Sequence, residues 1–377
     1  MRWALLKLSI FAGMALSLPL LGVWAAGMPV DWYLEFPPVT RYVEHAPYSF
    51  PLFLLGILLV LVPLVPFVRR AASWKPGEED SPRPARSFPA WGWAGVVSLA
   101  ASWILAWTRF SWFAPLQAHT FTPLWLSFVV VVNALTYRKT GKCLMTERPR
   151  FFLLLFPASA AFWWSFEYLN RFVQNWYYLD TGEYGPWEYF QLATLSFSTV
   201  LPAVLSTREW LGTFPRLDRP FRSFLPVTVR RHRLASFLLL AAAAGSLAGI
   251  GVFPDLFYPL LWVSPLAVLV SLDGIAGRPH LFSGVAAGDW REIVGYALAA
   301  LLCGFFWEMW NLYSLAKWEY SIPYVHRFLL FEMPVLGYSG YLPFGLECAA
   351  VAGLLEEMLP RGTPPAIRLD GMEGGGL

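Results

Sequence analysis

A long uncharged run at residues 50–68 decides the fold class: FPLFLLGILLVLVPLVPFV. A run of this length can cross a bilayer as a helix, because the hydrocarbon layer is about 30 Å thick and a helix rises about 1.5 Å per residue. The whole 377-residue chain shares this character, since 57% of its residues are hydrophobic, 14% are charged and its mean hydropathy is +0.49. A soluble domain carries roughly a quarter charged residues. The sequence therefore predicts an all-α, polytopic membrane protein.

Similar apolar runs predict about ten transmembrane helices. They lie near residues 5–26, 50–68, 90–108, 121–137, 151–170, 188–206, 234–252, 257–272, 292–313 and 334–357. Several contain proline, which a membrane helix tolerates where neighbouring groups satisfy the freed carbonyls. The first run follows Arg2 and Lys7 and ends near small residues at 23–26. It is either a retained helix, which its length favours, or a cleaved signal peptide.

The basic residues orient these helices. If alternate connecting segments are assigned to the cytoplasm, starting with the N-terminus, that side holds all but five of the 28 Lys and Arg residues. The five on the other side are Arg41, Arg109, Arg171, Lys317 and Arg327. The positive-inside rule predicts such a bias, so we expect an integral protein of a bacterial inner (cytoplasmic) membrane with both termini cytoplasmic. The net charge of +3 is small and gives no indication of nucleic-acid binding.

Two segments near the fifth and ninth predicted helices repeat one pattern. The first is WWSFEYLN at 163–170, followed by WYY at 176–178, and the second is FWEMWN at 306–311, followed by WEY at 318–320. Both read aromatic-E-x-x-N and then W-x-Y, about 141 residues apart. Because polar residues match at the same spacing, apolar bias alone does not explain the likeness.

The repeated pattern predicts a duplicated fold. Residues 90–233 and 234–360 would be two copies of a four-helix unit, and an even number of helices per copy keeps the two parallel. Residues 1–89 would add an N-terminal helix pair with an outer loop and a cytoplasmic linker. Residues 361–377 would form a flexible cytoplasmic tail.

Ionisable residues inside the spans mark the candidate site, because each costs about several kcal/mol unless it is paired or faces a cavity. Glu and Asn lie three residues apart in both copies and so share a helix face. The predicted catalytic residues are Glu308, Glu167, Asn311, Asn170, Glu332 and Glu347. The predicted substrate-binding residues are Trp163, Trp164, Trp307, Trp310, Trp318, Glu188, Tyr178 and Tyr320. We expect both Glu/Asn pairs, with Glu188 and Glu332, to converge about a pseudo-twofold axis in the outer half of the bilayer.

Three functions fit these residues. The first is an integral membrane enzyme or binding protein for a lipid or isoprenoid, in which Glu308 donates or accepts a proton, Asn311 orients it and Glu167 is its partner. The second is a proton-coupled transporter or permease that uses Glu347 as a relay. The third is a non-catalytic assembly partner, in which the acids only join helices.

The sequence indicates neither a cofactor nor a metal. His45, His119 and His326 fall on the predicted outer side but lack the helical spacing of metal ligands. The three cysteines form no C-x-x-C pair, and no phosphate-binding or dinucleotide-binding motif is present. The expected partner is a membrane lipid or a hydrophobic small molecule, and the sequence leaves the oligomeric state open.

Overall fold

The computed structural model describes residues 1–77, 86–179 and 184–359. The predicted tail at 361–377 and residues 78–85 of the predicted linker lie outside the described residues. The α-helices of the described part are α1 (Arg2–Ala25), α2 (Phe50–Ser73), α3 (Ala90–Trp107), α4 (Phe121–Thr140), α5 (Leu144–Glu147), α6 (Pro149–Val173), α7 (Pro186–Phe197), α8 (Val200–Leu211), α9 (Pro215–Asp218), α10 (His232–Gly249), α11 (Pro254–Leu261), α12 (Ser264–Ile275), α13 (Arg291–Asn311) and α14 (Tyr341–Met358). The strands are β1 (Trp176–Tyr178), β2 (Trp318–Tyr320), β3 (Leu329–Leu330) and β4 (Met333–Pro334).

The helices have the lengths and composition of membrane spans. Within the described residues, eight helical segments are long and apolar enough to cross a bilayer, counting α7 and α8 together as Pro186–Leu211. A ninth is possible if α11 and α12, which are bent by 53° at a short break, act as one span. The chain is thus mostly helical and fits an all-α, multi-pass membrane protein, while the count of ten stays a prediction.

The last predicted span begins later than the hydropathy suggests. The apolar run was expected to turn helical at 334, but α14 begins at Tyr341. Before it, Met333 and Pro334 pair with Leu329 and Leu330 in a short antiparallel sheet, and Val335–Gly340 forms a 3-10 helix. The Gly- and Pro-rich composition of this stretch favours turns over a continuous α-helix.

Helix faces are set by packing, because lipid-facing and protein-facing residues are both apolar. In α1 the buried residues recur every three or four positions, from Ala4 through Lys7, Phe11 and Ala15 to Val23, and this stripe faces neighbouring helices that include α10. In α2, by contrast, Phe53 alone among the described residues is buried. Most other side chains of α2 are exposed, although Phe67 packs on Phe221 and Arg70 donates to the carbonyl oxygen of Pro220.

Ion pairs and hydrogen bonds connect the ends of the helices on two opposite sides of the bundle. Lys7, near the start of α1, binds Asp273 near the end of α12 and Glu357 near the end of α14, both at 2.8 Å. At the opposite end, Arg171 of α6 binds Glu35 and the carbonyl oxygen of Trp32. These two sets match the alternation predicted from the basic residues. Which set faces the cytoplasm stays a prediction, since the structure contains no membrane.

A two-stranded ribbon joins the ends of α6 and α13. Helix α6 ends where Gln174 adopts a left-handed conformation (φ 53°), and β1 follows directly. Strand β2 follows α13 in the same way, and the two strands pair antiparallel. The ribbon therefore brings together the two W-x-Y segments of the sequence pattern.

Candidate functional site

The ribbon turns one aromatic face toward a cavity. Trp176 lies opposite Tyr320, and Tyr178 lies opposite Trp318. Because side chains alternate along a strand, these four rings share one face of the ribbon. All four line a cavity of about 550 Å³, whereas the central residues of the two strands are not among its described lining residues.

Glu167 is fully buried behind this face. Its Oε1 atom accepts hydrogen bonds from the Tyr178 hydroxyl at 2.7 Å, from Trp163 Nε1 at 2.8 Å and from Trp176 Nε1 at 3.1 Å. Its Oε2 atom has no hydrogen-bond partner among the described residues. These four residues are called the Glu167 site below.

Glu308 has a corresponding environment. Its Oε1 atom accepts hydrogen bonds from the hydroxyls of Tyr320 and Tyr341, both at 2.6 Å. Trp318 Nε1 donates to the Tyr320 hydroxyl at 2.8 Å. Glu308 is also fully buried, and in the described chain its Oε2 atom has no partner. Glu308, Trp318, Tyr320 and Tyr341 are called the Glu308 site.

The two asparagines hold the ribbon rather than the glutamates. Asn170 Nδ2 donates to the carbonyl oxygen of Trp176 at 2.7 Å, and its Oδ1 accepts from the backbone N–H of Asn175 at 2.9 Å. Asn311 binds the carbonyl oxygen and the N–H of Trp318 at 2.7 and 2.9 Å. Each amide therefore hydrogen-bonds to backbone groups that follow its own helix. These bonds hold β1 and β2 in the positions from which their tyrosines reach the glutamates.

The cavity has the size and lining of a ligand site. Small-molecule pockets typically enclose about 300–1,000 Å³ and are mostly apolar with a few polar groups. This one is bounded by the ribbon, α7, the stretch from Met333 to Pro343, and Gly56, Leu59 and Val60 of α2. Leu59 is 67% exposed, so the cavity wall reaches the outer surface of the helix bundle. The carboxyls of Glu167 and Glu308 lie one side chain behind the lining.

The predicted tryptophans divide into two groups. Trp163, Trp307 and Trp318 line the cavity, and Trp307 stacks on Tyr341 with ring centroids 5.9 Å apart. Trp164 instead donates to the Thr194 hydroxyl at 3.0 Å and stacks on a neighbouring phenylalanine. Trp310 is buried against Trp103 and Trp125 and is not among the described lining residues of the cavity. The structure brings three of the five to the cavity.

The remaining predicted acids lie in different surroundings. Glu188 is exposed at the start of α7. Glu332 accepts a hydrogen bond from Lys317, a cavity-lining residue, at 2.7 Å. Glu347 is buried and accepts from the backbone N–H of Leu266 at 3.4 Å, near the start of α12. Within the described residues, no hydrogen bond or ion pair joins any of these three to Glu167 or Glu308.

Tyr189 and Tyr341 are among the lining residues that the sequence pattern did not indicate. Tyr189, one position after Glu188, is buried, and among the described residues its hydroxyl has no partner. Tyr341 begins α14, directly after the Gly- and Pro-rich stretch 333–340. The aromatic–Glu pair at 187–188 did mark the right turn of helix, but a one-residue rotation of about 100° decides which side chain faces inward.

Electrostatics keep the lining phenols protonated. Burial, strengthened by the charge of the neighbouring carboxyl, raises the pKa of Tyr178 and of Tyr320 well above the ordinary phenol value. Burial lowers the pKa of Lys317, but hydrogen bonds to Glu332 and Glu319 outweigh it and leave that pKa above its usual value. In the described part of the chain, no group of three His, Cys, Asp or Glu side chains could hold a metal ion.

Comparisons with known proteins add no family. No protein-family model matches the chain, and neither the curated proteins nor the solved structures contain a match. The helices define the class, a multi-pass membrane protein. Any more specific function has to be argued from the cavity and the two glutamate sites.

Proposed function

We propose that this protein binds a lipid, an isoprenoid or another hydrophobic small molecule in the cavity beneath the ribbon, and transfers protons to or from it. One observation carries the proposal. Tyr178 and Tyr320 are among the lining residues of a largely apolar cavity, and the hydroxyl of each donates to a fully buried glutamate. Buried acids in membrane helices are functional more often than not.

The position of the cavity favours a ligand that arrives from the bilayer. Its walls include exposed side chains of α2 and of α7, such as Leu59 and Leu195. On the predicted orientation the ribbon lies on the outer side, so the cavity opens toward the outer half of the membrane. An apolar molecule dissolved in that half reaches the cavity without crossing water.

The hydrogen bonds provide a balanced proton relay. The Glu308 carboxylate takes the proton of the Tyr320 hydroxyl while the phenol oxygen takes a proton from the substrate, which leaves a neutral phenol, a neutral carboxyl and a deprotonated substrate. The same steps in reverse deliver one proton to the substrate. Tyr178 and Glu167 have the same relation. A group placed in this way typically contributes about 10²–10⁴-fold to a rate.

The predicted parallel duplication accounts for two matched sites. Exchanging the two copies, Trp176 for Trp318 and Tyr178 for Tyr320, leaves the pairing of the ribbon unchanged. A twofold axis through the centre of the ribbon has this property. Both asparagines bind a ribbon carbonyl at 2.7 Å, which also supports the duplication.

The transporter alternative rests on Glu347, and that residue is not among the described lining residues of the cavity. Its carboxyl packs against the start of α12. The geometry therefore favours a binding or catalytic cavity over a relay through Glu347.

A comparison of lipids tests the proposal. The protein and a Glu167→Gln/Glu308→Gln variant are produced at equal levels, and both the total lipid extract and the molecules that co-purify with each protein are measured by mass spectrometry. We expect a hydrophobic species that co-purifies with the protein, and whose amount in the extract depends on the two glutamates. Glu44→Gln, at an exposed acid on the same predicted side, is the matched control and leaves that amount unchanged. Identical extracts and no co-purifying molecule would contradict the proposal.

A further inference from the structure

The charge around the cavity is unbalanced. Glu167 and Glu308 are both fully buried, and neither forms an ion pair with a basic residue in the described chain. Each also keeps one carboxyl oxygen without a hydrogen bond from any described residue. A buried carboxylate is strongly destabilised unless a positive group lies nearby. Within the described residues, hydrogen-bond donors surround these acids but no basic side chain pairs with them.

The rim of the cavity adds negative charge. Lys317 is the one Lys or Arg among the described lining residues. Its Nζ atom already binds two carboxylates, Glu332 at 2.7 Å and Glu319 at 3.2 Å. Among the described lining residues, a phosphate or carboxylate headgroup would therefore meet no unpaired Lys or Arg side chain, and the imidazole of His119 is the remaining basic group.

The lining itself is suited to a cation. Trp163, Trp176 and Trp262 lie side by side, with ring centroids 6.4 and 5.5 Å apart along the series. Tryptophan faces attract ammonium groups through the ring quadrupole, and aromatic cages recognise quaternary ammonium ligands in this way. The attraction of a carboxylate one side chain behind the rings persists in a medium of low dielectric constant.

We infer that the ligand of the cavity is an organic cation on an apolar tail, a quaternary or protonated amine amphiphile, whose charged head lies among the tryptophan rings in front of Glu167 and Glu308. The inference rests on the proposed function and narrows its ligand class. The cation supplies the positive partner that both buried carboxyls lack. Its tail extends along the apolar wall formed by α7 and α2.

Three probes with the same decyl tail test this inference on the purified full-length protein in maltoside micelles. They are decyltrimethylammonium, its neutral carbon isostere 2,2-dimethyldodecane, and decyl sulfate, and native mass spectrometry measures how much of each is bound. We expect the ammonium probe to bind about tenfold more tightly than the neutral isostere, and decyl sulfate to bind least. In Glu167→Gln/Glu308→Gln the ammonium preference falls while neutral binding is unchanged, and Glu44→Gln, a change at an exposed acid, keeps the preference.

The outcomes separate this inference from the proposed function. If the neutral isostere binds as well as the ammonium probe, or if decyl sulfate binds best, the inference of a cationic ligand is wrong. The proposal of a cavity that binds a hydrophobic molecule then still stands. If none of the three binds, both ideas fail. The ranking of probes on the unmodified protein does not depend on whether the double variant folds.

Discussion

The Glu167 site and the Glu308 site give a buried carboxyl the same kind of environment with different side chains. In both, a ribbon tyrosine donates to the glutamate. The further donors to Glu167 are Trp163, four residues earlier on the same helix, and Trp176 of β1, whereas the further donor to Glu308 is Tyr341 from α14. The position four residues before Glu308 is Gly304, and a Cβ there would overlap the ring of Tyr341.

This exchange of donors gives the two sites different connections. The Glu167 site is local, because its donors come from α6 and from the strand that follows it. The Glu308 site joins α13, β2 and α14, since Tyr341 lies 33 residues from Glu308 along the chain. A movement of α14 would therefore change the donors of Glu308 and leave those of Glu167 in place. The two sites are therefore alike in their chemistry but differ in how a movement elsewhere in the fold would affect them.

Removal of the ribbon hydroxyls has the largest expected effect. Tyr320→Phe and Tyr178→Phe each remove the hydroxyl of a lining tyrosine and interrupt the proposed proton relay. If that site catalyses the reaction, turnover of the hydrophobic substrate falls about 10²–10⁴-fold. Equal losses mean that both sites act, and a loss confined to one variant identifies the working site. Turnover is measured by mass spectrometry of the affected lipid. If both variants keep full turnover, neither phenol takes part in proton transfer.

Gly304→Ala tests why the two sites differ. The added methyl group meets the Tyr341 ring, and overpacking of this kind costs about 1–3 kcal/mol of folding free energy. Gly245→Ala, in α10 with nothing within 4 Å of its Cβ position, is the matched control and leaves stability unchanged or slightly higher. Thermal unfolding in detergent measures both. Adding Tyr341→Ala relieves the overlap, so strictly additive losses in the double variant would contradict the account.

Asn170→Ala and Asn311→Ala loosen the two halves of the ribbon. Each leaves buried backbone groups without partners, which costs about 1–3 kcal/mol. Asn170→Ala has the larger effect, because Asn170 also donates to the Thr40 hydroxyl of the outer loop at 3.0 Å. Hydrogen exchange localises the change to the amides of Asn175 and Trp318, respectively. Unchanged protection of these amides would show that the asparagines do not hold the ribbon.

The sequence predicted the class of the fold better than its details. Long apolar runs locate α2 or α13 because only a helix satisfies its own backbone in lipid. The predicted start of the last span, at residue 334, was wrong because Met333 and Pro334 pair with β3. Hydropathy gives no indication of such a backbone contact. Helix rotation was equally hidden, since both faces of a membrane helix are apolar. The sequence therefore predicted Glu188 as a binding residue, whereas its neighbour Tyr189 is the one that lines the cavity.

For the candidate site, too, the sequence predicted which residues take part better than it predicted their contacts. The pattern E-x-x-N and W-x-Y located both buried glutamates and both ribbon tyrosines, because matched polar residues in apolar segments are conspicuous. It gave Asn311 a role beside Glu308, whereas the amide binds the backbone of Trp318 in a strand that the sequence presents as a loop. Tyr341 reaches Glu308 only through the packing of α14 on α13, so no spacing along the chain indicates it.

The smallest expected effect separates the two donor arrangements themselves. Tyr341→Phe removes one of the two donors to Glu308, and Trp163→Phe removes one of the three donors to Glu167. Each lost hydrogen bond is worth about 0.5–1.5 kcal/mol, and the loss is larger where fewer donors remain, because the carboxyl is then less well compensated. Thermal unfolding in the same detergent should therefore show a lower midpoint for Tyr341→Phe than for Trp163→Phe. Trp163→Phe also changes ring size, so Trp262→Phe corrects for lost ring packing, because Trp262 is similarly half-buried among aromatic rings and its indole donates no hydrogen bond to a described residue. If Trp163→Phe proves the more damaging after that correction, the glutamates do not depend on the number of their donors, and the difference between the two sites lies in packing alone.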